Sequence, residues 1–342
     1  MRIAVVASPV APLLPAQLGG AQAFVCDLAR GLTERGHEVT LHCAAGSEVA
    51  GVRLVTVAAP RDAERALVMP GGTAQPRPAP GVTAAFGEMF SAIATLDVDA
   101  VSQHAFDSPA FELARDLPVL HTLHLPPIVD AVLDAARSVP REHLATVSRS
   151  CAELWHRAGV GVDQVLANGI VDVAVDSAPS RTALIAGRIS REKGIDHAVA
   201  AARKAGLEVR LAGAHYDPAY DVELRGVEIL GPLPRDELRQ VMASSTVTVC
   251  AVRWEEPFGM VAAEAQMAGC PVAAYRRGAL PEVVEEGVSG YLADPDDVGR
   301  LAAAIMRCLD LDRSAVRASA LRRLGLDAAL DRYERALEAV AR

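Results

Sequence analysis

Val247-Thr248-Val249-Cys250-Ala251-Val252-Arg253-Trp254-Glu255-Glu256-Pro257-Phe258-Gly259-Met260-Val261-Ala262-Ala263-Glu264-Ala265-Gln266-Met267-Ala268-Gly269 carries three signals in one stretch. Its β-branched opening reads as a buried strand. Its end, Met267-Ala268-Gly269, reads as a helix stopped by glycine. Between them lies an acidic loop closed by Pro257-Phe258-Gly259. Gly259 lets a ligand approach the backbone closely, and the N–H groups of the helix's first turn point outward. A helix N-terminus of this kind favours phosphate or diphosphate. Glu256 precedes the helix, and Glu264 falls about two turns inside it. Carboxylates repel phosphate but accept from hydroxyl groups. The stretch therefore suits a ligand with both, such as a nucleotide sugar.

The same alternation runs through the chain. Ile3-Ala4-Val5-Val6-Ala7 reads as a first strand, Gly19-Gly20-Ala21-Gln22 opens a helix, and Val39-Thr40-Leu41-His42-Cys43 returns as a strand. That is a βαβ unit, so the sheet should be parallel. Further strands are Ala100-Val101-Ser102, Val119 to Leu123, Leu144 to Ser148 and Val165 to Ala167. Ala183-Leu184-Ile185-Ala186 restarts the pattern and is followed by Gly187-Arg188-Ile189-Ser190-Arg191-Glu192-Lys193-Gly194. Arg188 and Lys193 straddle this loop and can converge on one diphosphate, the first as a fork and the second as a point charge. His104, His121 and His124 fall near the C-terminal ends of strands, where parallel sheets bind ligands. A lone histidine is more often structural, and His104 and His121 are read that way.

Composition bounds the class. A chain of 342 residues is long enough for two domains. A net charge of −9 argues against nucleic acid or an anionic membrane as the main partner. The six cysteines are scattered, with no Cys-x-x-Cys pair, which suits free thiols in a reducing cytoplasm. The apolar N-terminus is too short for a signal-peptide core, and no apolar run approaches membrane-spanning length. The prolines and glycines from Pro60 to Gly81 read as a long surface loop, either a lid or a connector. The arginines after Arg313 are interleaved with acids and read as a solvated, ion-paired face.

Glu256, Pro-Phe-Gly and Glu264 together resemble the signature of retaining GT-B glycosyltransferases of family 4 (glycosyl transferases group 1). So do Gly19-Gly20, Thr122-Leu123-His124, Val165 to Asp172, and Gly187-Arg188 with Lys193-Gly194. The resemblance covers nearly the whole chain and is most specific from Gly187 to Glu282. It implies two Rossmann-like parallel-sheet domains facing a central cleft. Domain bounds follow: residues 1–173 on the acceptor side, a linker at 174–181, and 182–324 for the nucleotide sugar. Residues 325–342 would be a helix crossing back to the first domain.

The resemblance also implies roles. Arg188 and Lys193 would neutralise the leaving nucleoside diphosphate, Glu256 would contact the donor sugar, and His124 would lie near it. Gly19, Gly20, Gly187 and the backbone of Phe258, Gly259, Met260 and Val261 would hold the diphosphate, with Glu264 on the ribose hydroxyls. The implied activity is transfer of a hexose, with retention, from a nucleoside-diphosphate sugar to a hydroxyl of a soluble small-molecule acceptor. UDP is the nucleotide expected from the family. No metal or other cofactor is expected, because the two cations replace it and Asp294-Pro295-Asp296-Asp297 reads as a helix start. Phosphorylase, nucleotide-sugar epimerase and non-catalytic nucleotide-sugar-binding protein are the alternatives. The acceptor's identity and the oligomeric state stay open.

Overall fold

A computed structural model describes residues 1–14, 19–63, 78–173, 175 and 177–341. The chain forms two compact units: residues 1–169 with 326–342, and residues 170–325. Most of the 60–81 loop and positions 174 and 176 of the expected linker lie outside the described residues.

The first unit contains β1 (Arg2–Val6), α1 (Gly20–Glu34), β2 (Glu38–Ala44), β3 (Arg53–Val57), α2 (Pro80–Ala94) and β4 (Ala100–Gln103). It continues with α3 (Ser108–Glu112), β5 (Val119–Leu123), α4 (Asp130–Arg137), β6 (Leu144–Thr146), α5 (Arg149–Arg157) and β7 (Gln164–Val165). The sheet order is β3-β2-β1-β4-β5-β6-β7, with every pairing parallel. Strand order reverses between β1 and β4, the place where such sheets open a crevice at their C-terminal ends. Helices on the faces make near-continuous apolar strands the stable choice, and β1 and β5 are buried along almost their whole length. Phe86, Met89, Phe111 and Trp155 fill one side of this core.

The second unit contains β8 (Ser180–Ala186), α6 (Ile195–Lys204), β9 (Glu208–Ala212), β10 (Val227–Gly231), α7 (Arg235–Ser244) and β11 (Ser245–Cys250). α8 (Met260–Met267), β12 (Val272–Tyr275), α9 (Leu280–Val283), β13 (Gly290–Ala293), α10 (Val298–Cys308) and α11 (Arg313–Leu324) follow. Its sheet is also parallel throughout, in the order β10-β9-β8-β11-β12-β13, and reverses between β8 and β11. The loops carrying Arg188, Lys193 and Glu256 leave the C-terminal ends of these two neighbouring strands.

The last helix, α12 (Leu326–Val340), packs within the first unit. Gly31 of α1 leaves room for Leu330, because a Cβ there would overlap the leucine side chain. Arg35 binds Asp331 and Glu334 of α12 at 2.7 Å each, and the Tyr333 hydroxyl donates to Thr122 Oγ1 at 3.4 Å.

The C-terminal arginines do more than line a solvated face. Arg313 donates to the carbonyls of Ser245 and Ala243, Arg317 to that of Met267, and Arg323 to those of Glu282 and Val283. These carbonyls end helices, where oxygens lack intrahelical partners and a cation is favoured. Periodicity and charge in sequence cannot show such tertiary capping. Among the described residues, no helix is long and apolar enough to cross a membrane.

Candidate active site

Two loops build the centre of the site on the second unit. The loop after β8 forms a short 3-10 turn at Arg191–Lys193, then reaches Gly194 in the left-handed region, φ 62°. A Cβ on Gly194 would overlap the carbonyl oxygen of Ala251, so glycine lets this loop rest on the end of β11. Arg253 N–H donates to the Glu192 carbonyl at 2.8 Å, and its guanidinium meets Asp196 at 2.7 Å. Tyr220 donates to the other oxygen of Asp196 at 2.6 Å. On the far side, Ala279 N–H binds the Glu256 carbonyl at 2.8 Å, and Gly278, φ 58°, leaves no room for a Cβ against the Glu256 backbone.

The result is a direct contact between two residues to which the sequence assigns separate tasks. Lys193 Nζ lies 2.8 Å from Glu256 Oε2, with both side chains mostly buried. Trp254 Nε1 donates to that same oxygen at 2.9 Å, and the ammonium lies 5.3 Å from the centre of the indole. Gly259, φ 96°, immediately precedes α8 and has no side chain to cap it. Phe258 is buried, and Gly259, Met260 and Val261 form the turn into the helix. Glu264 is the fifth residue of α8, little more than one turn in rather than two, because the helix starts only after Gly259.

Glu264 is almost fully buried and ion-paired with Arg235 Nε at 2.7 Å. Arg235 is not among the residues that the sequence singles out. Its place after Pro234, opening α7, was the only local clue. Arg188 has a partner on its own loop, Glu192 at 3.4 Å, and its guanidinium lies 4.5 Å from the centre of the Tyr216 ring. Gly187, φ 129°, has open space where its Cβ would be. The Cys250 thiol at the end of β11 is no nucleophile. Burial, with the Glu256 charge adding to it, pushes it up to about 12.

The remaining candidates lie on the first unit. Gly19 precedes α1 in extended conformation, Gly20 is its first residue, and no acid occupies the first turn. His124 follows β5 and is buried with His104, the two rings joined Nε2 to Nδ1 at 2.9 Å. Ser102 Oγ meets the other nitrogen of His104 at 2.9 Å, and Phe24 and Tyr333 pack around the pair. Burial holds His124 down at about 4 and His104 well below the usual range, so both rings are neutral near pH 7. Reading histidines one at a time misses this pair. Their shared position just past two adjacent strands was the available signal. His121 is separate, stacked on Phe111 at 4.6 Å.

Comparison with known proteins accounts for both halves of the chain. A model described as Glycosyltransferase Family 4 matches residues 18–170, and one described as Glycosyl transferases group 1 matches residues 176–322. The chain belongs to glycosyltransferase family 4.

Among curated relatives of this family 4 chain is an alpha-maltose-1-phosphate synthase of Mycobacterium tuberculosis, 36% identical over an alignment of 176 positions that covers 45% of this chain and 44% of that protein. A D-inositol 3-phosphate glycosyltransferase of Mycolicibacterium smegmatis is 34% identical over an alignment of 211 positions that covers 56% of this chain and 47% of the other. The chain thus spans under half the length of these relatives. Solved GT-B glycosyltransferases share the fold. One involved in avilamycin A biosynthesis gives a TM-score of 0.75 at 23% identity, covering 99% of this chain and 98% of its own. The Anabaena protein HepE, solved with UDP-glucose, gives 0.75 at 19%, covering 99% and 100%.

Proposed function

We propose that this chain transfers a hexose from a nucleoside-diphosphate sugar, UDP-linked by analogy with the HepE complex, to a hydroxyl of a small-molecule acceptor. The observation that carries this is the 2.8 Å contact between Lys193 and Glu256 beside the glycine-led start of α8. A sugar joined to phosphate presents an anion and hydroxyl donors within a few ångströms. An ammonium touching a carboxylate matches that polarity: the cation serves the phosphate and the carboxylate accepts from the sugar. Arg188 and the N-terminus of α8 add positive potential for a diphosphate, and Glu264 would accept from the ribose.

The reaction is a substitution at the anomeric carbon. The bond to the diphosphate oxygen breaks, the acceptor oxygen bonds on the same face, and the acceptor's proton passes to the departing diphosphate. Stabilising that leaving group as charge develops is the main electrostatic task. Glu256 is committed to Lys193 and Trp254, which suits a binding role rather than that of a nucleophile. Metal is not required in this scheme, because Arg188, Lys193 and a helix N-terminus already oppose the diphosphate charge.

The test is turnover with a panel of nucleoside-diphosphate sugars in EDTA, with the product's anomeric configuration read by NMR. Arg188→Ala and Lys193→Ala should each lower kcat by roughly 10²–10³-fold while the protein stays folded. Wild-type turnover in both variants overturns the assignment. A requirement for Mg²⁺ or Mn²⁺ overturns the metal-independent scheme, and donor binding without any turnover supports the non-catalytic alternative.

A further inference from the structure

Trp254 is one of two tryptophans in the chain, and it stands apart from the apolar core of its unit. It is only partly buried, in the loop between β11 and α8. A large apolar side chain left partly in water, outside the core, needs another reason to be there. Its contacts supply one. The indole N–H donates to Glu256 Oε2 at 2.9 Å, the oxygen that also accepts from Lys193 at 2.8 Å. The Lys193 ammonium lies 5.3 Å from the ring centre, within range of an attraction to the π face. One side chain therefore touches both members of the ion pair.

The two contacts act differently once an anion arrives. Phosphate draws an ammonium towards itself and weakens the ammonium's grip on a carboxylate. A neutral N–H is not drawn away, so it still holds Glu256 Oε2 and leaves Oε1 aimed for a sugar hydroxyl. The ring face meanwhile limits how far the flexible lysine can swing. We propose that Trp254 is a positioning residue, keeping Glu256 oriented and Lys193 confined as the charge on the leaving group grows. The role rests on the transferase function proposed above.

Two readouts test it. In proton–nitrogen NMR spectra the two indoles give separate signals, Trp155 being buried in the first unit. Glu256→Ala should move the Trp254 indole signal upfield and leave that of Trp155 in place. An unmoved Trp254 signal overturns the contact. In kinetics, Trp254→Phe keeps a ring but deletes the donor. It should lower kcat about tenfold with donor KM within about twofold, as expected for one hydrogen bond to a charged group. Trp254→Leu deletes both contacts and should also raise donor KM. Trp254→Phe should then have almost no further effect on a Glu256→Ala background, because its action passes through that carboxylate. Equal effects on both backgrounds, or wild-type kcat in Trp254→Phe, overturn the positioning role alone. A wild-type protein without turnover overturns the transferase function and this role with it, so the two failures are distinguishable.

Discussion

Each carboxylate central to the site meets a cation from elsewhere in the fold, Glu256 with Lys193 and Glu264 with Arg235. The second pair lies at 9% and 18% side-chain exposure, deep enough that an unpartnered charge would be costly. Arg235→Ala should destabilise the second unit by about 3 kcal/mol by stranding the Glu264 charge. Adding Glu264→Gln should recover much of that loss, since a neutral amide is easier to bury. Denaturant titration followed by Trp254 fluorescence measures both. If the double variant is no more stable than Arg235→Ala, the cost does not come from the stranded carboxylate. The glutamates and their spacing could be read from the sequence. Their partners could not, because Arg235 lies 29 residues away and nothing local links it to Glu264.

At the scale of elements, glycines let the loops close on one another. Gly194 touches the Ala251 carbonyl and has φ 62°, whereas Gly206, just past α6, has φ 72° with nothing near its missing Cβ. Gly206→Ala should cost only the left-handed conformation, on the order of 1 kcal/mol. Gly194→Ala adds a backbone overlap and should cost more. It alone should lower kcat, by pushing the Lys193 loop off β11. Melting temperatures and kcat of the two variants decide this, and equal effects would remove Gly194 from the site's support. Some elements were hidden by their own chemistry. α2 starts at Pro80-Gly81, inside a stretch that reads as loop, because proline is well tolerated in a helix's first turn. β3, β13, α7 and α11 are not evident in the sequence either; α7 is dominated by charged and polar residues, and α11 has a weak apolar periodicity.

For the whole molecule, the four buried histidines concentrate acid lability in the first unit. Burial lowers His42 to about 4, His121 to about 3, His124 to about 4, and His104 below the usual range. The unfolded chain takes up these protons near pH 6.5 and the folded unit does not. Stability is therefore full above about pH 6.5 and falls with pH below it, by up to ~1.4 kcal/mol per unit for each histidine. Asp107 acts in the opposite sense. It accepts from Ser8 at 3.0 Å, gives no side-chain cap to α3, and burial pushes it up to about 6. As pH falls from about 6 to 4 it regains stability, offsetting roughly one histidine. The first unit should thus lose several kcal/mol between pH 6.5 and 5, a large share of a typical domain's stability. Thermal melts followed by Trp155 fluorescence in a Trp254→Phe background measure this. A midpoint unchanged from pH 7.5 to 5 would mean the folded unit binds those protons after all.

The sequence by itself determined the class of fold, two parallel α/β halves, because buried strands and glycine-ended helices are local patterns with fixed periods. It also marked Glu256, Glu264, Arg188 and Lys193 as the residues suited to the proposed sugar diphosphate, since they stand at fixed offsets from strand ends. Only the tertiary structure decided who touches whom. Lys193 with Glu256, Trp254 against Glu256, Arg235 on Glu264, His104 against His124 and Arg35 on α12 are all meetings of side chains. Four of these five join separate elements, and Trp254 with Glu256 depends on how their loop bends. Such contacts depend on strand order and loop closure, which carry no period that the chain could display along its length.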